Sequence, residues 1–488
     1  MKLRNKSILT TGLAVALAAA MLVGGGTFAY LQSSTGDVVN AFSSNQVMVN
    51  LAETTGSEYH IIPGTEEAKD PKVTVNTTVP AYVYVEVTDT TDGLVGYDVA
   101  EGWTLLGSFD NIYYREVAAS STAQEFSVLA GDKVSYDATL GNGDMVDENG
   151  ALKEGLSLTF QAHAVQKEPF GDPLKAFYQS DTTAATLSDL SEAIENAEDN
   201  AAIVITADIM ADADNTLVIP QGKTITLALA GHTVTGSASA PAIKVEKDAV
   251  LNMSDGTIVA AAGQAGIENE GTATLDSLTV TRDAESVSNE YYAVVNHGTM
   301  TLEEGVRVDA PHAGSSLVEN GYVDGSGQTE PVKLVINGGS YIGGLNPVKN
   351  DDWGVLEING GYFESGAGNQ YCVVNYNDLT INGGTFVSDY RVVWNGNLND
   401  TYNKGQVVVT GGDFTAKQAY MFYNKFDEEL GGGASTTEKG FMIFSGGTFK
   451  GDDTNESIMF AGPNGWKCAD GYEWVANYSD GTCSVVPE

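Results

Sequence analysis

The sequence predicts an all-β protein in which an N-terminal jelly-roll β-sandwich precedes a right-handed parallel β-helix. Short runs that alternate apolar and polar residues fill the first third of the 488 residues, and an Asn-Gly-Gly octet recurs in the second half. A helical period appears only once, near residue 190. The predicted order is a signal peptide over 1–29, a jelly-roll domain over 30–170, a linker and capping helix over 171–200, a β-helix over 201–451 and a capping hairpin over 452–488.

The composition limits the classes of function. The chain carries 65 Asp+Glu against 24 Lys+Arg, a formal net charge of −41. Such a chain is repelled by phosphate, so we expect neither nucleic acid nor an anionic membrane surface as a partner. The three cysteines exclude a disulfide scaffold, and the apolar content of 42% is sufficient for packed cores.

The first residues have the pattern of an export signal. Three basic residues within the first six positions precede an apolar run, clearest from Leu13 to Val23, and a small-residue segment that ends at Ala29. This pattern predicts secretion with cleavage between Ala29 and Tyr30. The alternative is an uncleaved anchor, but the run is shorter than the roughly 20 apolar residues of a spanning helix. We therefore expect an extracellular mature chain without a transmembrane anchor.

Residues 30–170 read as many short strands. Val73–Val87 is rich in β-branched and aromatic residues, Leu158–Ala162 alternates apolar and polar residues, and Gly141–Asp144 is typical of a turn. No long helical period interrupts these runs. They predict an antiparallel sandwich of the jelly-roll kind.

Three ordered blocks in this region resemble the TasA/camelysin family. They are Gly24–Leu31 followed by Asn40–Phe42, Ile62–Thr65 followed by Lys69–Val83, and Leu158–Gln166. The resemblance implies a jelly-roll domain in an exported matrix or surface protein of bacteria of the Bacillus and Clostridium groups. Some members are classed as metalloproteases. Only His60 and His163 lie in this domain, without a His-Glu-x-x-His helix to hold zinc, so protease activity is not predicted.

A short amphipathic helix is predicted before the repeats. Apolar residues recur at helical spacing from Leu187 to Ala197, and Ser188 is the predicted N-cap. Gly171–Thr183, which precedes it, reads as a polar loop. The apolar face of the helix is expected to close the open end of the following domain.

Internal repeats are the strongest pattern in the chain. The octets Leu334–Tyr341, Leu356–Phe363 and Leu379–Phe386 nearly coincide, and further copies follow. Units of about 22–30 residues cannot bury their own apolar faces, so they must stack as coils. A propeller blade needs about 40–45 residues and fits badly. Val204–Thr235 also resembles the entry coil of pectate-lyase-like β-helices in bacterial surface proteins.

Stacking of about nine coils predicts columns of equivalent residues. One column is aromatic, with Tyr341 preceding Phe363, Phe386, Phe414 and Phe449. A second signature, in which an apolar residue and any residue precede Asn, predicts a ladder of amides hydrogen-bonded along the stack. Its members are Asn269, Asn296, Asn320, Asn350, Asn375, Asn395 and Asn424.

The C-terminal segment predicts a hairpin that covers the last coil. Asp480-Gly481 between β-prone runs is a hairpin turn pattern. Cys468 and Cys483 are candidates for a disulfide across the hairpin, since export permits oxidation. Cys372 then remains as a buried thiol.

No catalytic residue and no metal ligand are predicted. Asp351-Asp352 and Asp452-Asp453 are the only adjacent Asp pairs, and their separation of some four coils places them too far apart to share a sugar. The acidic segment 144–150 fails the EF-hand spacing, so calcium is supported only weakly. No other cofactor is expected.

Aromatic residues at outward or corner positions are the best binding candidates. They are Trp353, Tyr376, Trp394, Tyr402 and Tyr423. One interpretation is a glycan-binding surface, because flat rings suit sugars; the other is that these rings cover the helix side or pack against loops. The sequence thus favours a secreted structural or adhesive protein of the cell surface or biofilm matrix. Its expected partners are matrix or surface components such as polysaccharide, and further copies of the same chain. The alternative is a carbohydrate-active β-helix enzyme, a polysaccharide lyase or hydrolase.

Overall fold

The computed structural model describes residues 32–34 and 46–488, apart from 57–58, 108, 110, 147–151, 154, 181, 199, 212–215, 283–290, 311–313, 324, 326–327, 366–369, 397–404, 418–420, 426–440, 452–465 and 478–481. The chain forms two compact units, one over residues 26–183 and one that includes residues 184–488. The predicted signal peptide and its cleavage position between Ala29 and Tyr30 lie outside the described residues. Within the described residues, no helix has the length and apolar character to span a membrane.

The N-terminal unit is built from antiparallel strands. They form sheets in the orders β1-β10-β5-β7-β6, β2-β4-β8 and β3-β9. The strands are β1 (Gln32–Ser34), β2 (Val47–Ala52), β3 (Glu66–Ala68), β4 (Lys72–Thr77), β5 (Ala81–Asp89), β6 (Thr104–Leu105), β7 (Ile112–Val117), β8 (Gln124–Ser127), β9 (Lys133–Ser135) and β10 (Leu158–Gln166). A 3₁₀ turn covers Ala130–Asp132. The connectivity of a jelly roll stays a prediction.

The centre of this unit is the pairing of β5 with β10 over nine residues. Strand β5 is buried on both faces, because valines on one face join the core that β2 and β4 cover, while Tyr82 and Tyr84 face the other side. Buried β-branched and aromatic residues in alternation favour such a central strand. His163 on β10 is a half-buried strand residue that stacks on Tyr84, with ring centroids 4.6 Å apart.

Residues 171–183 are not the predicted polar loop. They contain helix α1 (Pro173–Tyr178), whose N-cap is the Asp172 side chain that accepts bonds from two backbone N–H groups. The hydroxyl of Tyr84 donates to the Pro173 carbonyl at 2.7 Å. The sequence prediction failed because a six-residue helix is too short to show a period. Its Ala176 packs into the core with Tyr82 and Tyr84, and this burial stabilises the helix instead.

The second unit is a parallel β-solenoid of about nine turns. Most turns contain three strands, so three columns of strands run along the solenoid. The first two columns belong to a 22-stranded sheet and the third is a nine-stranded sheet. The sequence predicted two strand motifs in each unit; the third strand was missed because the octet spans a corner between two strands. The handedness stays a prediction.

The strands of the two sheets are as follows. The 22-stranded sheet contains β11 (Thr183–Ala184), β12 (Ala201–Ile205), β13 (Ile209–Met210), β15 (Thr224–Ala228), β16 (Thr233–Thr235), β18 (Val250–Ala260), β20 (Thr272–Arg282), β22 (Thr299–Leu302), β23 (Arg307–Ala310), β25 (Val332–Ile336), β26 (Ser340–Gly343), β28 (Gly354–Ile358), β29 (Tyr362–Ser365), β31 (Asp378–Ile381), β32 (Thr385–Ser388), β34 (Gln406–Val409), β35 (Asp413–Ala416), β37 (Met442–Phe444), β38 (Thr448–Lys450), β39 (Trp466–Cys468), β40 (Tyr472–Asn477) and β41 (Thr482–Pro487). The nine-stranded sheet contains β14 (Leu217–Ile219), β17 (Ile243–Val245), β19 (Ile267–Asn269), β21 (Val294–Asn296), β24 (Val318–Asn320), β27 (Val348–Asn350), β30 (Tyr371–Asn375), β33 (Arg391–Asn395) and β36 (Phe422–Asn424).

The Gly-Gly pairs form the corner between the first and second columns. The second glycine of each pair has a positive φ, for example 104° at Gly384 and 111° at Gly412. A side chain at Gly384 would also approach the carbonyl of Gly361 to 3.0 Å. Glycine is therefore required here both for the backbone angle and for the close approach of neighbouring coils.

The solenoid core contains the expected aromatic column. Tyr341 and Phe363 stack with centroids 4.9 Å apart, and Phe363 and Phe386 with centroids 4.7 Å apart. Phe414 and Phe449 continue the stack at 5.0 Å for each step. The spacing of the rings follows the spacing of neighbouring parallel strands, about 4.8 Å, so each ring lies on its equivalent in the next coil.

The asparagines form a second column at the end of the third-column strands. The amide nitrogen of each ladder asparagine before the last donates to the side-chain oxygen of the asparagine in the next coil, over distances of 2.7–3.2 Å. All seven are buried. The members are Asn269, Asn296, Asn320, Asn350, Asn375, Asn395 and Asn424. A shorter exposed ladder, not anticipated from the sequence, joins Asn337, Asn359 and Asn382 on the Gly-Gly corner.

Both ends of the solenoid are covered. Helix α2 (Leu187–Asn196) inserts Leu190 and Ile194 into the core at the N-terminal end. Its N-cap is Thr186, whose side chain accepts from the N–H of Asp189, and not the predicted Ser188. Thr186 is the N-cap because its backbone is extended, as this position requires, whereas Ser188 lies within the helix. At the other end β40 and β41 form the C-terminal hairpin, and β41 pairs antiparallel with β38.

No disulfide joins Cys468 to Cys483, which corrects the predicted bridge. Cys468 lies in β39, before the hairpin, in register with Phe444. Cys483 is opposite Ala476 in the hairpin. The prediction failed because it placed both cysteines at facing positions of one hairpin. Cys372 is a buried free thiol, and its sulfur donates to the Val387 carbonyl at 3.2 Å.

Candidate functional site

The outer face of the nine-stranded sheet carries a column of ionisable and aromatic side chains. In each three-residue strand of this sheet the first and last side chains point into the solenoid, so the middle one points outward. The outward column, in coil order, is Val218, Lys244, Glu268, Val295, Glu319, Lys349, Val374, Trp394 and Tyr423. It divides into an ionisable part over the earlier coils and an aromatic part over the later ones.

The ionisable part centres on Lys349. Its Nζ lies 2.9 Å from Oδ2 of Asp351 and 3.1 Å from the hydroxyl of Tyr292, two coils away. Glu319 is the register neighbour of Lys349 in the preceding coil, and its carboxyl lies beside that of Asp351. His297 Nε2 lies 3.9 Å from Glu319 Oε2. We call Tyr292, His297, Glu319, Lys349 and Asp351 the buried polar cluster.

Burial shifts the pKa values in the buried polar cluster. It raises the pKa of Glu319 to about 9, with a further contribution from Asp351, so Glu319 is protonated at neutral pH. Burial also raises the pKa of Asp351, although Lys349 acts in the opposite direction. For Lys349 burial lowers the pKa, but Asp351 and Tyr292 outweigh it and the pKa is raised. Burial lowers the pKa of His297, so its contact with Glu319 joins two neutral groups at neutral pH.

This carboxyl pair does not have the geometry of a glycosidase. Two catalytic carboxyls flank a sugar about 5–5.5 Å apart in retaining enzymes and about 6.5–9.5 Å apart in inverting ones. Glu319 and Asp351 instead lie against each other, and neither is more than 2% exposed. A glycosidic bond cannot enter between them. Asp351 instead forms a buried ion pair with Lys349, and protonation of Glu319 removes the cost of two adjacent negative charges.

The aromatic part occupies the later coils. Tyr376 follows the ladder residue Asn375 and lies edge-on to Trp394, with ring centroids 5.0 Å apart. Trp394 and Tyr423 are register neighbours in successive coils. All three rings are half-buried. Lys349 lies 5.6 Å from the centroid of Tyr376 and so joins the aromatic part to the buried polar cluster.

Arg391 extends the aromatic part at its corner. Arg391 and Trp394 are half-buried residues of strand β33, separated by the two core residues Val392 and Val393. The guanidinium carbon lies 4.7 Å from the ring centroid of Tyr390 and 5.1 Å from that of Tyr423.

The predicted binding residues fall into three groups. Tyr376, Trp394 and Tyr423 come together on one face. Trp353 lies at the corner between β27 and β28, where its indole N–H donates to the Gly325 carbonyl at 3.1 Å, and therefore packs against a loop. Tyr402 lies outside the described residues, as does the Asp452-Asp453 pair.

Sequence reasoning missed Glu319, Lys349, Tyr292 and Arg391. The available signal was the middle position of the apolar-x-Asn motif, which always points outward and holds Glu319, Lys349 and Trp394. The contacts of Tyr292 and Arg391 had no such signal, because they join residues of different coils.

The acidic segment 144–150 lies largely outside the described residues, and the prediction about calcium stays open there. Among the residues that the structure describes, no group of three or more His, Cys, Asp or Glu could hold a metal ion.

Comparison with protein-family models gives no match, and comparison with curated proteins gives none either. Among solved structures, catalytic domains of a GH87 alpha-1,3-glucanase match. One, an Asp-to-Ala variant in complex with tetrasaccharides, is 10% identical and covers 87% of this chain and 98% of its own, with a TM-score of 0.26. A second, another such variant in complex with nigerose, is 9% identical over the same shares, with a TM-score of 0.24.

Proposed function

We propose that this protein is an exported bacterial surface or biofilm-matrix protein that binds polysaccharide through the outer face of its nine-stranded sheet. The observation that carries the proposal is the placement of Tyr376, Trp394 and Tyr423 on successive coils of one face. One face of a pyranose ring presents C–H groups, which pack on flat aromatic rings. A row of rings along a stiff rod suits an extended chain of sugars.

The remainder of the chain supports an extracellular role. The N-terminal pattern of basic, apolar and small residues favours export, and the blocks that resemble the TasA/camelysin family favour a jelly-roll domain that joins the protein to a matrix. The acidic surface favours solubility and keeps strand edges apart, and self-association through the N-terminal domain belongs to the same proposal.

The test is affinity electrophoresis of the mature chain in gels that contain single polysaccharides, neutral or acidic. We expect Trp394→Ala to weaken retardation by about tenfold or more, because it removes the central ring of the row. The matched control is Tyr362→Ala, an outward, half-buried tyrosine on the second column whose hydroxyl donates to Glu364. Equal retardation of both variants and the parent protein would overturn the proposal.

The alternative is hydrolysis or lyase cleavage of the bound glycan. Glu319, Asp351 and Asp352 lie in two successive coils, but their burial leaves no room for a glycosidic bond between them, so their geometry does not favour this alternative. The same glycans are incubated with protein, and new reducing ends and unsaturated products are measured. Turnover that disappears in Asp351→Asn and Glu319→Gln would establish an enzyme; binding without turnover supports the binding function.

A further inference from the structure

Arg391 lies among three tyrosines of the outer face. Tyr371 is its register neighbour in the preceding coil, and its hydroxyl interacts with the guanidinium. Tyr390 and Tyr423 contribute the two nearby ring faces, at 4.7 and 5.1 Å from the guanidinium carbon. Tyr371 and Tyr390 also pack edge-on, with centroids 5.4 Å apart. The guanidinium is therefore held by groups from three successive coils.

This environment suits one kind of ligand group. Aromatic faces hold a flat guanidinium through cation–π contacts. The N–H groups lie in the guanidinium plane and point away from these faces, as a planar fork of donors. A carboxylate pairs with that fork through two parallel hydrogen bonds. A lysine at this position would present a point charge without the fork.

The position of Arg391 beside the aromatic part also favours a carboxylate on a bound sugar. Tyr423 contacts Arg391 and is also the register neighbour of Trp394. A sugar ring on Trp394 or Tyr423 would thus carry its substituents to the guanidinium. The chain has a net charge of −41, so a cation at this point is a local exception to the surface charge.

We propose that the glycan is acidic, and that Arg391 binds the carboxylate of a sugar stacked on the aromatic part. This inference rests on the proposed polysaccharide binding and specifies its ligand class. The acidic surface repels polyanions in general. Arg391 therefore favours a polysaccharide whose carboxylate reaches the guanidinium while its sugar rings stack on the aromatic part.

The experiment compares two forms of one polymer. Alginate carries a carboxylate on each sugar, and its propylene glycol ester has the same backbone with most carboxylates capped. Binding of the full mature chain to both is measured by affinity electrophoresis with EDTA present, which removes calcium bridging. The variants are Arg391→Gln, Arg391→Lys and the control Arg307→Gln, an exposed arginine on the second column.

We expect alginate to bind more tightly than its ester. Arg391→Gln should weaken alginate binding about ten- to hundredfold, as loss of a hydrogen bond to a charged group implies, and leave ester binding unchanged. Arg391→Lys should recover only part of the affinity, and Arg307→Gln should match the parent protein. Circular dichroism melts of each variant exclude unfolding as the cause of a loss.

Three outcomes would overturn the inference. Arg391→Gln could weaken both polymers equally, the ester could bind as well as alginate, or a sulfated polysaccharide could bind in preference to both. If neutral glycans bind and depend on Trp394 while Arg391 has no effect, the ligand class is wrong and the proposed function stands. If no polysaccharide of either kind binds, the proposed function fails as well.

Discussion

Replacing Asn375 by Asp tests the buried ladder with a change of only one group. The Asn375 amide nitrogen donates to Oδ1 of Asn395 at 2.8 Å, to the carbonyl of Asn377 at 2.7 Å and to the carbonyl of Gln406 at 3.2 Å. In Asn375→Asp an acceptor oxygen replaces this donor and faces three other acceptors. The volume hardly changes, so the effect reports hydrogen bonding and charge, and not packing.

The expected loss follows from the donors removed. The Asn377 carbonyl also accepts the N–H of Gln406, so the substitution leaves two acceptors unsatisfied. Each unsatisfied acceptor in a buried site costs about 1–3 kcal/mol, so the free energy of unfolding should fall by about 2–6 kcal/mol. For a unit of this size about 2 °C of melting temperature corresponds to each kcal/mol, so a drop of about 4–12 °C is expected. Thermal melts and amide hydrogen exchange of the neighbouring coils measure it.

The exposed ladder provides the matched control. Asn359 donates to Asn337 at 3.0 Å and accepts from Asn382 at 2.8 Å, which is the same arrangement on the surface. Water can satisfy the groups that Asn359→Asp leaves, so its cost should stay below about 1 kcal/mol. Equal losses for Asn375→Asp and Asn359→Asp would refute the reasoning that burial gives the ladder its strength.

Three further predictions concern the core, the buried polar cluster and the thiol. Phe386→Ala, which interrupts the aromatic column, should cost about 3–5 kcal/mol in urea unfolding, whereas the outward Tyr362→Ala should cost little; a loss near zero for Phe386→Ala would contradict the stack. Folding raises the pKa of Glu319 from its usual value to about 9, so between these values the folded state binds one proton more than the unfolded state. The free energy of unfolding should therefore fall as the pH rises from about 4.5 to about 9, by up to about 1.4 kcal/mol per pH unit. Glu319→Gln should remove most of this slope in melts across that range, and an unchanged slope would show that Glu319 is ionised. Burial raises the pKa of the Cys372 thiol to about 12, so at pH 8 a thiol-reactive disulfide reagent should modify it only after unfolding, and peptide mass mapping that finds rapid native modification would contradict this.

Much of the solenoid could be predicted from local patterns. The octets required a corner with positive φ at Gly384 and its equivalents, and the spacing of the ladder asparagines required coils that stack in register. Short elements escaped prediction. Helix α1 has only six residues, and the second ladder begins at Asn337 within a motif already assigned to the corner.

The candidate site was predictable only in part. Trp394 and Tyr423 could be placed on one face, because each precedes a ladder asparagine. Trp353, with the same residue chemistry, packs against a loop instead, because its backbone has a φ of 66° and directs the indole to Gly325. Backbone angles of this kind leave no pattern in residue types.

The sequence by itself determined that about nine repeating units stack into a parallel β-helix with an aromatic column and an asparagine ladder, because a unit of this length can bury its apolar face only against its neighbours. The tertiary structure alone decided which outward side chains meet. Lys349 reaches Tyr292 across 57 residues, and Arg391 meets tyrosines from three coils. Loops of different length separate these coils, so contacts between them have no constant spacing in the sequence, whereas the hydrogen bonds between parallel strands hold them in constant register in space.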